Sequence, residues 1–161
     1  MDMARARLGI LAVVFGLGFV SSVIAADLDF TLTAPPGWKP RTKSTALAQY
    51  QKGPSSFIVT ADSMPADAVT PDTYVGFIKK QLGQVFKDIT YDPVVSGKKA
   101  ACETRELKYS GTTSGMKMKY DVLYIFRGGK AYTLTGGTLA DLFTAALAAD
   151  IKAFFDSFTF K

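Results

Sequence analysis

Between Met116 and Phe126 every second residue along the chain is apolar. The residues on this apolar side are Met116, Met118, Tyr120, Val122, Tyr124 and Phe126. A period of two residues is typical of a β-strand, so this stretch predicts a long strand with one fully apolar face. The opposite side begins charged and becomes apolar at Leu123 and Ile125, which predicts that another element covers that end.

Two glycine pairs follow this strand. The pair 128–129 suits a tight hairpin turn, because glycine adopts positive φ without steric cost, and the chain is expected to return as strand 131–135. After the second pair, 136–137, the period changes to that of a helix. Thr138 is predicted as its N-cap, with Asp141 three residues on. The apolar positions of this helix are Leu139, Phe143, Leu147, Ile151 and Phe154.

The rest of the chain adds further strands and one earlier helix. Alternation predicts strands at 29–33, 46–51, 56–61, 89–95 and 99–109, with turns that include 96–97. The chain closes with a short strand or an extended tail at 157–160. Thr70 as N-cap, Pro71 at the first helical position and Asp72 in the first turn predict a helix that runs to Phe86. Hairpin-joined strands and covering helices indicate an α+β fold, with an antiparallel sheet flanked by helices.

The N-terminus has the pattern of a secretory signal peptide. Arg5 and Arg7 precede the apolar run 8–20, and small residues lead to a cleavage point after Ala25. We therefore expect residues 1–25 to be a signal peptide and 26–161 to form a single domain in the bacterial periplasm or outside the cell. The alternative is an uncleaved anchor, since residues 8–26 are just long enough to span a bilayer.

The composition excludes several classes of chemistry. The sequence has no His and one Cys, Cys102. The usual zinc and haem sites, and hydrolysis through a His base, cannot be built from such a chain. A lone Cys forms no internal disulfide, and we interpret Cys102 as a buried structural residue. We predict no catalytic residue, no cofactor and no metal site, and hence no enzyme.

The acidic residues leave two weaker possibilities for chemistry. Glu103, Glu106 and Asp121 lie among basic residues on predicted strands, and we interpret them as a solvated ion-pair face, not an acid–base pair. Aspartates also recur every five residues across the loop before the first helix, at 62, 67 and 72. Hard cations favour such ligands, but the spacing is not that of a calcium-binding loop.

The formal net charge of +5 permits an acidic partner. Two basic segments are the candidate contact surfaces. The first is the loop with Trp38, Lys39 and Arg41, and the second is a strand face; the residues of that face are Arg105, Lys108, Lys117 and Lys119. Nucleic-acid binding is disfavoured, because alternation places Tyr120 on the face opposite the lysines and export removes the chain from cytoplasmic nucleic acid.

Five short motifs follow one another along the chain: Pro-Pro-Gly-Trp (35–38), Thr-Pro at a helix start (70–71), Val-x-Gly-x-x-Ala (95–100), Gly-Gly-Lys-Ala-Tyr-Thr-Leu-Thr (128–135) and Asp-Ser-Phe-Thr-Phe (156–160). In this order they resemble the PsbP-like superfamily, which includes PsbP, the Ran-binding Mog protein and DcrB. The resemblance implies an α-β-α sandwich and a non-catalytic partner of a larger assembly. DcrB-type lipoproteins carry a lipid-attachment Cys that this sequence lacks.

These observations predict an exported, non-catalytic accessory protein of the bacterial envelope that acts through protein–protein contacts. After signal cleavage we expect no stable membrane insertion. One alternative is a small-ligand carrier with an apolar pocket between sheet and helices near Tyr120, Tyr124 and Tyr132. The other is a weak binder of divalent cations. The sequence names neither the partner nor the oligomeric state.

Overall fold

The structure, a computed structural model, describes residues 28–161. The predicted signal peptide lies outside these residues. The strands are β1 (Phe30–Thr31), β2 (Lys39–Pro40), β3 (Ala48–Lys52), β4 (Ser55–Ser63), β5 (Lys87–Tyr91), β6 (Val95–Lys99), β7 (Cys102–Thr113), β8 (Met116–Arg127), β9 (Lys130–Leu139) and β10 (Thr159–Phe160). The helices are α1 (Pro71–Val85) and α2 (Ala145–Ser157), and a short 3-10 turn spans Ala140–Leu142.

Eight of these strands form one antiparallel sheet in the order β2-β3-β4-β9-β8-β7-β5. The eighth, β6, pairs with the first half of β7, while β5 pairs with the second half of the same strand. The terminal strands β1 and β10 form a separate two-stranded sheet. The predicted α+β class and antiparallel sheet are therefore confirmed.

The two helices cover opposite faces of the sheet. On one face α1 places Tyr74, Val75 and Leu82 against the apolar side of β7 and β8. On the other face α2 contributes a second cluster with β4, β9 and the Ile125 end of β8. The arrangement is the α-β-α sandwich that the sequence resemblance implied, and α2 supplies the expected cover for Ile125.

Close packing fixes α2 on the sheet. The rings of Phe154 and Phe57 stack with centroids 3.9 Å apart, and both side chains are fully buried. Gly136 of β9 lies directly beneath the helix, where a Cβ atom would come within 2.5 Å of Cγ1 of Ile151. The absence of a side chain at Gly136 therefore sets how closely α2 approaches.

The start of the last helix differs from the prediction. The glycine pair 136–137 continues β9, and the strand runs on through Thr138 to Leu139. The helix begins at Ala145, where the side chain of Thr144 caps it by accepting from the backbone N–H of Leu147. The pattern was misread because these glycines serve close packing: Gly136 faces Ile151, and Gly137 faces the ring of Tyr120.

A second hairpin turn also lies elsewhere than expected. The sequence predicted a turn at 96–97, but this dipeptide belongs to β6, and the chain reverses at Ala100-Ala101. Ala100 adopts a φ of 53°, in the left-handed region that non-glycine residues rarely occupy. Because neither residue of this turn is a typical turn residue, the pattern did not predict it. Other local signals are confirmed: Thr70 caps α1, and Gly128 and Gly129 turn the chain between β8 and β9 with positive φ.

Candidate functional site

Helix α2 covers β3, β4 and β9 but leaves the other half of the same sheet face open. The uncovered side chains form two rows across β5, β7 and β8, and we call them the open face. The first row is Lys87, Thr112 and Lys117; the second is Thr90, Ser110 and Lys119. Neither row contains an acidic residue.

The chemistry of the open face is basic and polar. Lys87 and Lys117 are exposed at the two ends of the first row. The hydroxyls of Thr90 and Ser110 lie 2.9 Å apart in the second row, and the ammonium of Lys119 lies 4.9 Å from the ring centroid of Phe143. Lys117 and Lys119 were predicted from sequence. Lys87 was missed, because the alternating pattern starts the strand two residues later, at Ile89.

Arg105 does not share a face with the lysines. It pairs with Tyr124, whose side chain lies on the α1 face. Side chains alternate between the two faces along β7, and Lys108, three positions further on, therefore points to the opposite face. Its side chain is buried, and its Nε donates a 2.7 Å hydrogen bond to Oδ1 of Asp72. This hydrogen bond lowers the pKa of Asp72 below its ordinary value. The four-residue basic face predicted from sequence was wrong in including Arg105.

The basic loop near Trp38 is anchored inward at one point. The Trp38 indole is buried, and its Nε1 donates a 2.9 Å hydrogen bond to Oδ2 of Asp150 on α2. Lys39 is exposed, while Arg41 donates to the side chain of Gln51. Within this loop, Lys39 presents its charge outward and the Trp38 ring is packed against Phe154.

A groove lies between α2 and the hairpin of β6 and β7, beside the open face. It has a volume of about 520 Å³. Its lining residues are Lys98, Lys99, Thr104, Glu106, Lys108, Asp121, Leu123, Ala148, Ala149, Lys152, Phe155 and Asp156. Four lysines and three acidic residues thus surround a partly apolar interior.

Asp121 is the unusual member of this groove. The residue is 4 % exposed, and its Oδ1 is buried without any hydrogen-bond partner. Burial raises the pKa of Asp121 above its ordinary value, although the charge of Lys108 opposes this shift. The Nζ of Lys108 lies 3.7 Å from Oδ2 of Asp121 and 3.5 Å from Oε1 of Glu106.

The interpretation of these acids as a solvated ion-pair face was therefore wrong for Asp121. Alternation alone places the residue on the charged side of β8. Its burial depends on α2, which is distant in sequence, and on Gly136, its register partner in β9. No local signal in the sequence reports that coverage.

Other predicted sites do not assemble. Tyr120 and Tyr124 are buried on the α1 face, whereas Tyr132 lies on the α2 face, so these three rings do not line one pocket. Within residues 28–161 no three metal-ligating side chains cluster. Cys102 is a half-buried free thiol. None of the helices in this described part is long and apolar enough to cross a membrane.

Comparison with known proteins shows similarity at the level of structure. No protein-family model matches the sequence, and no curated protein is significantly similar to it. LpqN of Mycobacterium tuberculosis, described as involved in cell envelope biogenesis, superposes with a TM-score of 0.63 at 14% identity, over 81% of this chain and 82% of that one.

Two further solved structures are similar. CyanoP, the cyanobacterial PsbP of Synechocystis sp. PCC 6803, has a TM-score of 0.54 at 14% identity and covers 90% of this chain and 99% of its own. PA94 of Pseudomonas aeruginosa, whose function is unknown, has a TM-score of 0.50 at 15% identity, over 71% of this chain and 72% of that one. With its antiparallel sheet and its two covering helices, this chain has the PsbP-like fold.

Proposed function

We propose that this protein is an exported, non-catalytic accessory protein of the bacterial envelope, whose open face binds an acidic surface of an envelope protein. In this proposal residues 1–25 direct export and are removed, and residues 26–161 act in the periplasm or outside the cell. The observation that carries the proposal is the open face itself. It presents three lysines and three hydroxyl residues with no acidic residue in either row.

Charge complementarity supports an acidic partner. Lys87 and Lys117 are exposed and form no ion pair with another residue of the described range 28–161. A surface of unpaired ammonium groups favours encounter with acidic surfaces and raises the association rate. Thr112 lies between these two lysines and adds a hydroxyl group, and the strands hold the three residues in fixed register.

The non-catalytic part of the proposal rests on chemistry. The whole sequence has no His, and its candidate acids Glu106 and Asp121 both lie within 4 Å of the same lysine, Lys108. The envelope part takes support from the signal-like N-terminus and from the structural similarity to LpqN, a protein involved in cell envelope biogenesis. Similarity of fold at this level of sequence identity does not by itself indicate a shared function.

A photo-crosslinking residue placed at Thr112, between Lys87 and Lys117, tests the proposal in cells. We expect ultraviolet light to join position 112 to one dominant envelope protein. The same residue at Gln84, which is exposed on α1 at the other side of the sheet, should not capture that protein.

Charge reversal provides the second arm of this experiment. Lys117→Glu with Lys119→Glu should abolish the crosslink from position 112. Lys80→Glu with Lys130→Glu makes the same change in net charge away from the open face and should leave the crosslink intact. A crosslink that survives reversal of Lys117 and Lys119 would show that the open face is only solvated surface.

A further inference from the structure

The main sheet ends in three edge strands, β2 on one side and β5 and β6 on the other. Proline and bulges are common devices that stop an edge strand from pairing with another chain. Strand β2 is two residues long and contains Pro40, and β5 has a register shift between Lys87 and Thr90. Strand β6 has neither device. It pairs with β7 without a shift over all five of its residues, and each of them is exposed or half-buried.

The outer edge of β6 presents the backbone groups of Ser96 and Lys98. The carbonyl of Lys108 in β7 points toward this edge of the sheet, because it accepts from the backbone N–H of Asp92. Backbone groups alternate in direction along a strand, so those of Thr104, four residues earlier, also point toward β6. The residue of β6 that pairs with Thr104 points back at it, and its two neighbours, Ser96 and Lys98, point outward. In the described part of the chain, no backbone hydrogen bond outside the ladders involves either neighbour.

Two lysines place positive charge on both faces of this edge. Lys98 pairs with Glu103 and lies on the α1 face, whereas Lys99 pairs with Cys102 and lies on the α2 face. Neither lysine forms an ion pair with a carboxylate of the described chain, and the Nζ of Lys99 donates to the backbone carbonyl of Asp156, 3.1 Å away. Strand β6 contains no acidic residue. A strand added beside β6 therefore meets a lysine on each face at two successive positions.

Gly97 leaves the α2 face of this edge without a side chain. It pairs with Thr104, and a Cβ atom at Gly97 would come within 3.1 Å of the Thr104 Oγ1. Thr104 also lines the groove beside α2, so the gap over Gly97 opens toward that groove. An aromatic side chain on a neighbouring strand can cover an edge glycine and shield its backbone. The edge therefore favours an aromatic residue opposite Gly97.

We propose that the outer edge of β6 binds an extended segment of a partner protein as an added antiparallel strand, with acidic side chains opposite Lys98 and Lys99 and an aromatic side chain opposite Gly97. Backbone hydrogen bonds to Ser96 and Lys98 supply affinity, and the side chains set register and selectivity. A second copy of this chain fits less well, because two β6 strands paired about a two-fold axis bring the lysines of both copies together. The contact goes beyond the open face, because it uses none of its residues.

A synthetic peptide with capped ends, Ser-Glu-Glu-Phe-Thr-Val-Ser, is the probe. Antiparallel to β6, its two glutamates face Lys99 and Lys98 and its phenylalanine faces Gly97. At saturation it should slow hydrogen exchange of the Ser96 and Lys98 amides in the ¹⁵N-labelled expected mature chain by about tenfold or more. The Gly97 amide, which already points to β7, should change little.

Two matched peptides test the side chains. A peptide with Lys-Lys in place of Glu-Glu should bind about tenfold more weakly, because both cross-strand pairs become repulsive. A peptide with Ala in place of Phe should bind about threefold more weakly, because it leaves Gly97 uncovered. Chemical-shift titration of the amides of residues 95–99 measures each affinity.

Variants of the protein test the same contact from the other side. Ser96→Pro removes an outward N–H but no hydrogen bond to β7, and should weaken the Glu-Glu peptide by about tenfold. Lys98→Glu with Lys99→Glu should weaken the Glu-Glu peptide and strengthen the Lys-Lys peptide, by about tenfold each. Lys43→Glu with Lys80→Glu, at exposed positions away from β6, makes the same change in net charge and should alter neither affinity by more than about twofold. Circular dichroism of each variant checks that the fold is kept.

Three outcomes overturn the proposal. The first is that no peptide slows exchange at Ser96 and Lys98 at millimolar concentration. The second is that the Glu-Glu and Lys-Lys peptides bind equally well, or that a folded Lys98→Glu, Lys99→Glu variant keeps the preference of the wild type. The third is that the two amides are already protected in the free chain, increasingly so at higher protein concentration, because a second copy then occupies the edge. Each result leaves the crosslinking test at position 112 unaffected, so failure of this proposal and failure of the accessory role are distinguishable.

Discussion

The side chains of Trp38 and Lys52 converge on one oxygen, Oδ2 of Asp150, with the indole Nε1 at 2.9 Å and the Lys52 ammonium at 2.8 Å. This contact ties the loop before β2 and the end of β3 to helix α2. Burial alone would raise the pKa of Asp150, but the two hydrogen bonds outweigh it and lower the pKa below its ordinary value. The contact therefore stabilises the fold above the ordinary pKa of Asp and is lost as pH falls through the lowered one.

Replacing Trp38 with Phe keeps an aromatic ring but removes the donor to Asp150. We expect the free energy of unfolding to fall by about 2 kcal/mol, from the lost hydrogen bond and the smaller ring. Urea unfolding measures the change. Lys39→Ala, at the exposed neighbouring position, is the control and should stay within about 0.5 kcal/mol of wild type. Equal stability of Trp38→Phe and wild type would show that the loop is not anchored through this contact.

Asp121 should make the protein less stable as pH rises. Its pKa is raised in the folded state, so the folded chain holds this proton more tightly than the unfolded chain does. The stabilisation that this residue contributes is complete below pH 3.8, the ordinary pKa of Asp. It is lost as the pH rises through the raised pKa of the folded state.

Asp121→Asn removes that ionisation and should raise Tm by a few degrees at pH 7, with little difference between the two proteins below pH of about 4. Thermal melts of both proteins across this pH range measure it. Asp67→Asn, in an exposed loop, is the control and should leave Tm unchanged at pH 7. A lower Tm of Asp121→Asn at neutral pH would mean that the carboxylate is stabilised by its surroundings.

The stacked pair of Phe57 and Phe154 carries the packing of α2. We expect Phe154→Ala to cost about 3–5 kcal/mol, because the side chain is fully buried against Phe57 and its removal leaves a cavity. The sequence pattern placed Phe143 among the apolar positions of the last helix. It lies before the helix and is half-buried, so Phe143→Ala should cost less, under about 2 kcal/mol. Denaturant melts of the two variants decide between the positions.

Two glycine substitutions should change stability in opposite directions. In Gly136→Ala the new methyl group meets Ile151 at 2.5 Å, so α2 must shift, at a cost of about 1–3 kcal/mol. In Gly76→Ala the methyl group meets nothing within 4 Å on the exposed side of α1, and helix propensity should gain up to about 1 kcal/mol. A Gly136→Ala variant as stable as wild type would contradict the close approach of α2.

The elements that sequence predicts well are those whose signals are local. The alternation of β8, the turn at Gly128-Gly129 and the start of α1 at Thr70 each depend on residues adjacent in the chain, and the structure confirms all three. The prediction that the strand ends at Gly136 and Gly137 was wrong. A glycine that makes room for a packed side chain cannot be distinguished in the sequence from one that turns the chain.

The candidate sites were predictable only in part, for the same reason. Lys117 and Lys119 follow from the period of one strand. The exclusion of Arg105 and the inclusion of Lys87 depend on which strands pair, and in what register. The burial of Asp121 depends on where α2 crosses the sheet, which no stretch of sequence near residue 121 encodes.

The most direct test of the account is the affinity of the crosslinked envelope protein, once identified and purified, for the expected mature chain at low and high salt. The account predicts that Lys117→Glu with Lys119→Glu weakens binding at low salt by about tenfold or more and flattens its salt dependence, whereas Lys80→Glu with Lys130→Glu does neither. Binding that is equally tight and equally salt-dependent in all three proteins would contradict a role for the open face.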